Sequence, residues 1–199
     1  MCGIIGILGS APAAPRLVQA LKLLEYRGYD SAGVATLENG AITRRRAAGK
    51  LANLAAELER APLAGVSGIG HTRWATHGAP SRRNAHPHLG MDGRVVLVHN
   101  GIVENYQSLR EELTAEGVAF RSETDTEVIV QLVERYMAAG LSLAEAARRT
   151  LRQLEGANAV VLMSIDRPDQ LVCARIGNAG GIALGLGEGE MFIASDIQA

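Results

Sequence analysis

Two apolar rhythms alternate along this chain. Short runs bounded by Gly, Pro, Asn, Asp or Ser, several of them apolar at nearly every position, predict strands at Gly3 to Leu8, Ser31 to Leu37, Ala41 to Ala47, Gly68 to Arg73, Val95 to His99, Ala159 to Ile165, Leu171 to Ile176, Ile182 to Leu186 and Met191 to Ala194. Several carry no polar face, the pattern of strands covered on both sides. Apolar residues at three- and four-residue spacing predict helices at Pro15 to Tyr26, Lys50 to Ala61, Tyr106 to Gly117, Thr126 to Ala139 and Ser142 to Leu154, the last opened by a Ser142/Glu145 capping box. Nine strands and five helices with no linker and no repeat imply layered α plus β in one compact domain, 1–199.

Composition narrows the function classes. A net charge of -1, with basic residues only in short clusters such as Arg44 to Arg46 and Arg82-Arg83, lacks the basic face that a phosphate backbone requires, so nucleic acid is not an expected partner. No apolar run approaches the ~20 residues of a membrane span, and no basic segment precedes Met1 to Leu8, so a cytoplasmic protein is expected. Two cysteines, Cys2 and Cys173, are too few for a disulfide framework and suit a reducing compartment. The glycines at 177–181 and 185–189 have the spacing of hairpin turns, and no Gly-Lys-Ser/Thr follows to make a phosphate loop.

Chemistry could begin at the second residue. Met1 is readily removed before a small residue, which leaves Cys2 with a thiol and a free α-amine. That amine, with a pKa of about 7.7–8.0, can take the thiol proton and later return one to a leaving group. Alone, a small cysteine opening an apolar strand reads as core packing, and Cys173 inside the strand from Leu171 keeps that reading. Asn100-Gly101 alone reads as a hairpin turn as readily as an oxyanion site. Arg73 and Asp125 alone read as solvated charges, or, for Asp125, as part of a helix cap before Thr126. His77, His86 and His88 raise zinc as an alternative, but His86 and His88 flank a proline in a loop with no matching ligand pair elsewhere; no metal and no cofactor is expected. His71 and His99 on apolar strands read as core histidines.

Six strings in order change the balance. They are Cys2-Gly3-Ile4-Ile5-Gly6, then 25–33 (EYRGYDSAG), 71–78 (HTRWATHG), 84–88 (NAHPH), 99–105 (HNGIVEN) and 122–127 (SETDTE). Together they resemble the class II, or N-terminal-nucleophile, glutamine amidotransferases, and within them the glutaminase part of the glucosamine-6-phosphate synthases. The resemblance runs nearly the whole chain. It implies a four-layer αββα sandwich of the N-terminal-nucleophile hydrolase type and hydrolysis of L-glutamine to glutamate and ammonia, with Cys2 as nucleophile. By the same resemblance Asn100 and Gly101 hold the oxyanion and Arg73 and Asp125 grip the α-carboxylate and α-ammonium of glutamine. Thr76, His77 and Gly78 belong to a loop over the substrate, Trp74 controls ammonia exit, and Arg27 supports the nucleophile's surroundings.

The resemblance further implies sugar-phosphate isomerase domains after Ala199, absent from this chain, and leaves room for a homodimer of the longer enzyme. Relatives carry Gly-Ser-Pro-Leu where this chain has Gly177-Asn178-Ala179-Gly180, a departure that bears on the local backbone there; none of the site residues named above lies in it. Two competing readings remain. One is the same fold serving another acceptor, as in the amidophosphoribosyltransferases, against which the strings around Arg27 and Trp74 speak. The other is a silent glutamine-binding module, which would be marked by loss of Cys2 or Asn100, and both are present.

Overall fold

The computed structural model describes residues 2–199, so the expected removal of Met1 lies outside the described residues. Strands β1 (Gly3–Leu8), β2 (Ser31–Glu38), β3 (Ala41–Ala48), β4 (Ser67–Arg73), β9 (Ala183–Gly187) and β10 (Glu190–Ala194) form one sheet, ordered β3-β2-β4-β1-β10-β9. Strands β5 (His88–Leu89), β6 (Val95–Gly101), β7 (Asn158–Ser164) and β8 (Leu171–Ile176) form a second, in sequence order. Every pairing is antiparallel. Helices α1 (Ala13–Leu23) and α2 (Leu51–Arg60) cover the first sheet; α3 (Tyr106–Ala115), α4 (Glu127–Ala138) and α5 (Leu143–Leu151) cover the second.

The period-two geometry of a strand explains why these runs are apolar throughout. On β1, Ile5 and Ile7 pack against Leu17 and Leu21 of α1, while Ile4 points the other way, between the sheets. On β6, Val95 and Leu97 meet α4 and α5, whereas Val96 and Val98 meet Ile4 and Ile69 across the gap. Residues Val160 and Leu162 of β7 divide from Val161 and Met163 in the same way. Each of these three strands therefore feeds two cores, and the layers stack as helix, sheet, sheet, helix. Each fully buried aliphatic chain contributes roughly 1.5–3 kcal/mol, so a charge at Val98 or Ile69 would open the contact between the sheets.

Four expectations need correction. Strand β5 is two residues long and carries too little pattern to be read; with it, His88 belongs to a sheet rather than a loop. The 177–181 glycines do not close a hairpin, because β8 and β9 lie in different sheets; of the two glycine stretches, the second alone belongs to a hairpin, β9–β10. The helix expected from Pro15 to Tyr26 ends at Leu23 and is followed by a single 3-10 turn, Glu25–Arg27. Cys173 is half-buried rather than enclosed, since β8 is the outer strand of its sheet. At α5 the Ser142 hydroxyl accepts the Glu145 N–H at 3.3 Å, as its cap motif predicted.

Candidate active site

The layer between the sheets changes character along its length. In the middle of the sandwich its inward residues are Ile69 of β4 with Val96 and Val98 of β6. Two residues further along each strand, on the same face, come His71 and Asn100, and then Arg73. Register brings Cys2 to the same end, because Gly3 of β1 pairs with Thr72 of β4. The polar end of an otherwise apolar layer thus collects residues from both sheets.

The Trp74 N–H donates to Cys2 Sγ at 3.2 Å, and the thiol lies 3.6 Å from the Trp74 carbonyl. Burial pushes the thiol above its ordinary value, against the lowering by the Trp74 hydrogen bond. The thiol therefore keeps its proton near neutrality, and attack requires a base. Asn100 Nδ2 donates to the Cys2 carbonyl at 3.0 Å, and its second N–H remains for another acceptor. Gly101 has φ +135°, and a Cβ there would stand 2.1 Å from the Ala157 carbonyl, so only glycine lets the main chain turn here. Asn100-Gly101 is consequently the end of β6, paired with Ala159 and Asn158, and not the tip of a hairpin.

Arg73 is buried. Its Nη2 donates to the carbonyls of His77 and Gly78, the latter at 3.0 Å, while the buried Nη1 has no hydrogen-bond partner among the described residues. Burial pulls the guanidinium below its ordinary value, and Asp30, Cys2 and Asp125 oppose that. Asp125, also buried, accepts the Val103 N–H through Oδ2 at 2.8 Å; its Oδ1 lies 3.8 Å from His77 Nδ1. It does not cap α4, whose N-cap is Thr126. Asp30, which received no role of its own from the sequence, accepts the Ala75 N–H and the Ser31 hydroxyl and so fixes the loop after β4.

Two cavities meet at Cys2, Trp74, Thr76 and Gly101. The smaller, about 30 Å³, is bounded by Arg73, Asp125, His86, His99 and Thr126. The larger, about 410 Å³, opens past Asn100, Ile102, Glu104, Asn178 and Ala179. Asn178 and Ala179, in the stretch that departs from the relatives' pattern, thus line the larger cavity. Of the sequence-derived residues, Cys2, Asn100, Gly101, Arg73, Trp74, Thr76 and Asp125 all line these cavities; His77 sits behind Asp125, edge-on to Tyr106 at 4.9 Å. Arg27 holds Asp196 at 2.8 Å, which the Tyr26 hydroxyl also reaches, and so ties the 3-10 turn to the segment after β10.

A glutamine amidotransferase domain model matches residues 71–199. The chain belongs to the glutamine amidotransferase family. Glutamine--fructose-6-phosphate aminotransferase (isomerizing) from Agrobacterium fabrum is 57% identical over 98% of this chain, and the same-named protein of Brucella suis is 56% identical over 98%. The chain spans about a third (32%) of the length of either relative. Among solved structures, the glutamine phosphoribosylpyrophosphate amidotransferase of B. subtilis, complexed with ADP and GMP, matches 98% of the chain at TM-score 0.83 and 26% identity, over 42% of its own length. A class-II glutamine aminotransferase domain protein from Silicibacter pomeroyi shares the fold at TM-score 0.64 and 15% identity. The amidotransferase fold here is the α+β, four-layer αββα arrangement expected from the resemblance.

Proposed function

We propose that this domain hydrolyses the side-chain amide of free L-glutamine, with Cys2 as nucleophile, and supplies the ammonia for amino-sugar synthesis from fructose 6-phosphate. The observation that carries the reading is convergence: a thiol, an amide donor and a buried cation–anion pair border two cavities that meet at the thiol. With Met1 removed, the Cys2 α-amine takes the thiol proton and Sγ attacks the amide carbon. The oxyanion is held by the free N–H of Asn100 and the main chain at Gly101. The amine then protonates the departing ammonia, and water releases glutamate from the thioester.

Arg73 and Asp125 select the free amino acid. The unpartnered Nη1 of Arg73 is placed to pair with the α-carboxylate, and Asp125 Oδ1 with the α-ammonium. Glutamine spans the two joined cavities, its α-groups at Arg73 and Asp125 and its side-chain amide at Cys2, with the 74–78 loop folding over it. Ammonia leaves through the larger cavity, past Trp74. The acceptor chemistry belongs to isomerase domains of the longer polypeptide, in keeping with relatives about three times this length. A cytosolic setting goes with the reading, as the two free thiols suit a reducing compartment.

The test is ammonia release by the folded domain given L-glutamine, N-acetylglutamine or glutamine α-amide. The reading expects turnover of the first alone. Equal turnover of the blocked compounds would remove Arg73 and Asp125 from recognition.

A further inference from the structure

We infer that His71 is a positioning residue, whose Nε2–H fixes the side-chain amide of Asn100 in the orientation that aims its NH2 at the nucleophile. The inference deepens the oxyanion role proposed for Asn100 and rests on it. An asparagine amide can be turned over with almost no change of shape, and only its neighbours decide which end is the donor. One end of the Asn100 amide faces the Cys2 carbonyl at 3.0 Å, an acceptor that calls for the NH2. The other end faces His71 Nε2 at 3.1 Å. That nitrogen alone could be donor or acceptor, so the imidazole must itself be fixed.

The main chain fixes it. His71 Nε2 also lies 3.0 Å from the carbonyl of His99, which can only accept. A lone pair at Nε2 would face that carbonyl with no proton between them, so the proton belongs on Nε2. It is then shared between the His99 carbonyl and Asn100 Oδ1. Nδ1 is left with a lone pair, and it is indeed buried without a partner among the described residues. An orphaned lone pair costs less than an orphaned N–H. The ring is fully buried, stacked on His86 at 4.1 Å, and burial pushes its pKa down to about 3, so a second proton does not disturb the tautomer. The scheme continues outward: His86 Nδ1 accepts the His99 N–H at 3.2 Å, and His99 bridges Thr126 and Asn158, each at 2.9 Å. The strand end carrying Asn100 is therefore held by histidines from three segments of the chain.

A merely structural histidine and a positioning one predict different kinetics. His71→Phe keeps an aromatic ring of similar size and loses the donor; its kcat for glutamine hydrolysis should fall about tenfold or more, with KM moving less than about threefold. His71→Gln, whose amide NH2 can take the place of Nε2–H, should recover most of that loss. In the Asn100→Ala background His71→Phe should cost less than about twofold further, because there is no amide left to orient. The 15N shifts of the imidazole in the unsubstituted protein give a reading that needs no variant to fold: a neutral ring protonated on Nε2 is expected. Protonation on Nδ1 would overturn the inference, as would normal kcat in folded His71→Phe or a His71→Phe loss that multiplies fully with Asn100→Ala. Should Asn100→Ala itself keep its kcat, the oxyanion reading fails first and this inference with it; a loss in Asn100→Ala without one in His71→Phe sinks only the inference.

Discussion

The surroundings of the two cysteines are worth setting side by side. Cys2 and Cys173 are both half-buried, both beside or within strands, and both have thiols raised by burial. The burial class and the direction of the thiol shift do not by themselves tell them apart. Around Cys173, on the outer strand of the smaller sheet, the packing partners are the apolar residues of the layer between the sheets. Around Cys2, the same layer has turned polar: a main-chain N–H on the sulfur, the Asn100 amide on its own carbonyl, and Arg73 and Asp125 beyond. On the proposed reading, what sets Cys2 apart is the convergence of groups that can move a proton, hold an oxyanion and orient a substrate.

The widest separation between the two regions is expected on removing each thiol. Cys2→Ala should abolish glutamate release while leaving the unfolding midpoint near that of the unsubstituted protein, and a folded Cys2→Ala domain that still turns over would break the comparison outright. Next comes Asn100→Ala, for which kcat should fall on the order of a hundredfold with KM much less affected, since the interaction forms mainly in the transition state. Arg73→Ala should show the opposite division, a strong rise in KM, because the α-carboxylate is held in ground and transition states alike. Steady-state kinetics on variants shown to be folded would expose a mere turn residue at position 100, which would lower stability and activity together.

The histidines on the Cys2 side make a further difference, in stability. His71, His86, His88 and His99 are buried and all have pKa values lowered by that burial, His71 to about 3. A base whose folded pKa lies below its unfolded value of about 6.5 takes up a proton on unfolding, so stability is full above that pH and is lost as the pH falls below it. Each group acts in the same direction, and for His71 alone, with its pKa near 3, the loss between about pH 7 and pH 5.5 is roughly 1 kcal/mol. Urea midpoints measured across that range should fall steeply, and a flat profile would show that the cluster is not held neutral. The smallest effect belongs to Cys173→Ala, which should leave kcat within about twofold and lower stability by no more than roughly 1 kcal/mol, as the side chain is only half-buried.

Much of this was legible in the sequence, for physical reasons that also mark where legibility stopped. Strands such as Val95–Gly101 and Asn158–Ser164 are apolar on both faces because each face meets a different layer, and that pattern is local. Cys2, Arg73, Asn100 and Asp125 stand out only through the six strings taken together and the family they resemble, and the structure brings all four to the two joined cavities. The histidine cluster was not, because His71 and His99 are 28 residues apart on different sheets, and a histidine on a strand carries no sign of what its ring will face. Nor could the turn at Asn178 and Ala179 be placed, since its position beside Cys2 depends on β8 and β9 belonging to different sheets. Cys173 was expected to be enclosed because its strand is apolar, but that pattern does not tell an inner strand from an outer one.

The central claim is that Cys2 supplies both nucleophile and base, and the identity of the N-terminal residue tests it most directly. Preparations with and without Met1, told apart by intact mass, would be compared for glutamate release at equal concentration of folded protein. The account predicts that activity follows the fraction beginning at Cys2, because a Cys2 nitrogen bound in an amide cannot accept the thiol proton. Full activity in a preparation that uniformly retains Met1 would contradict it.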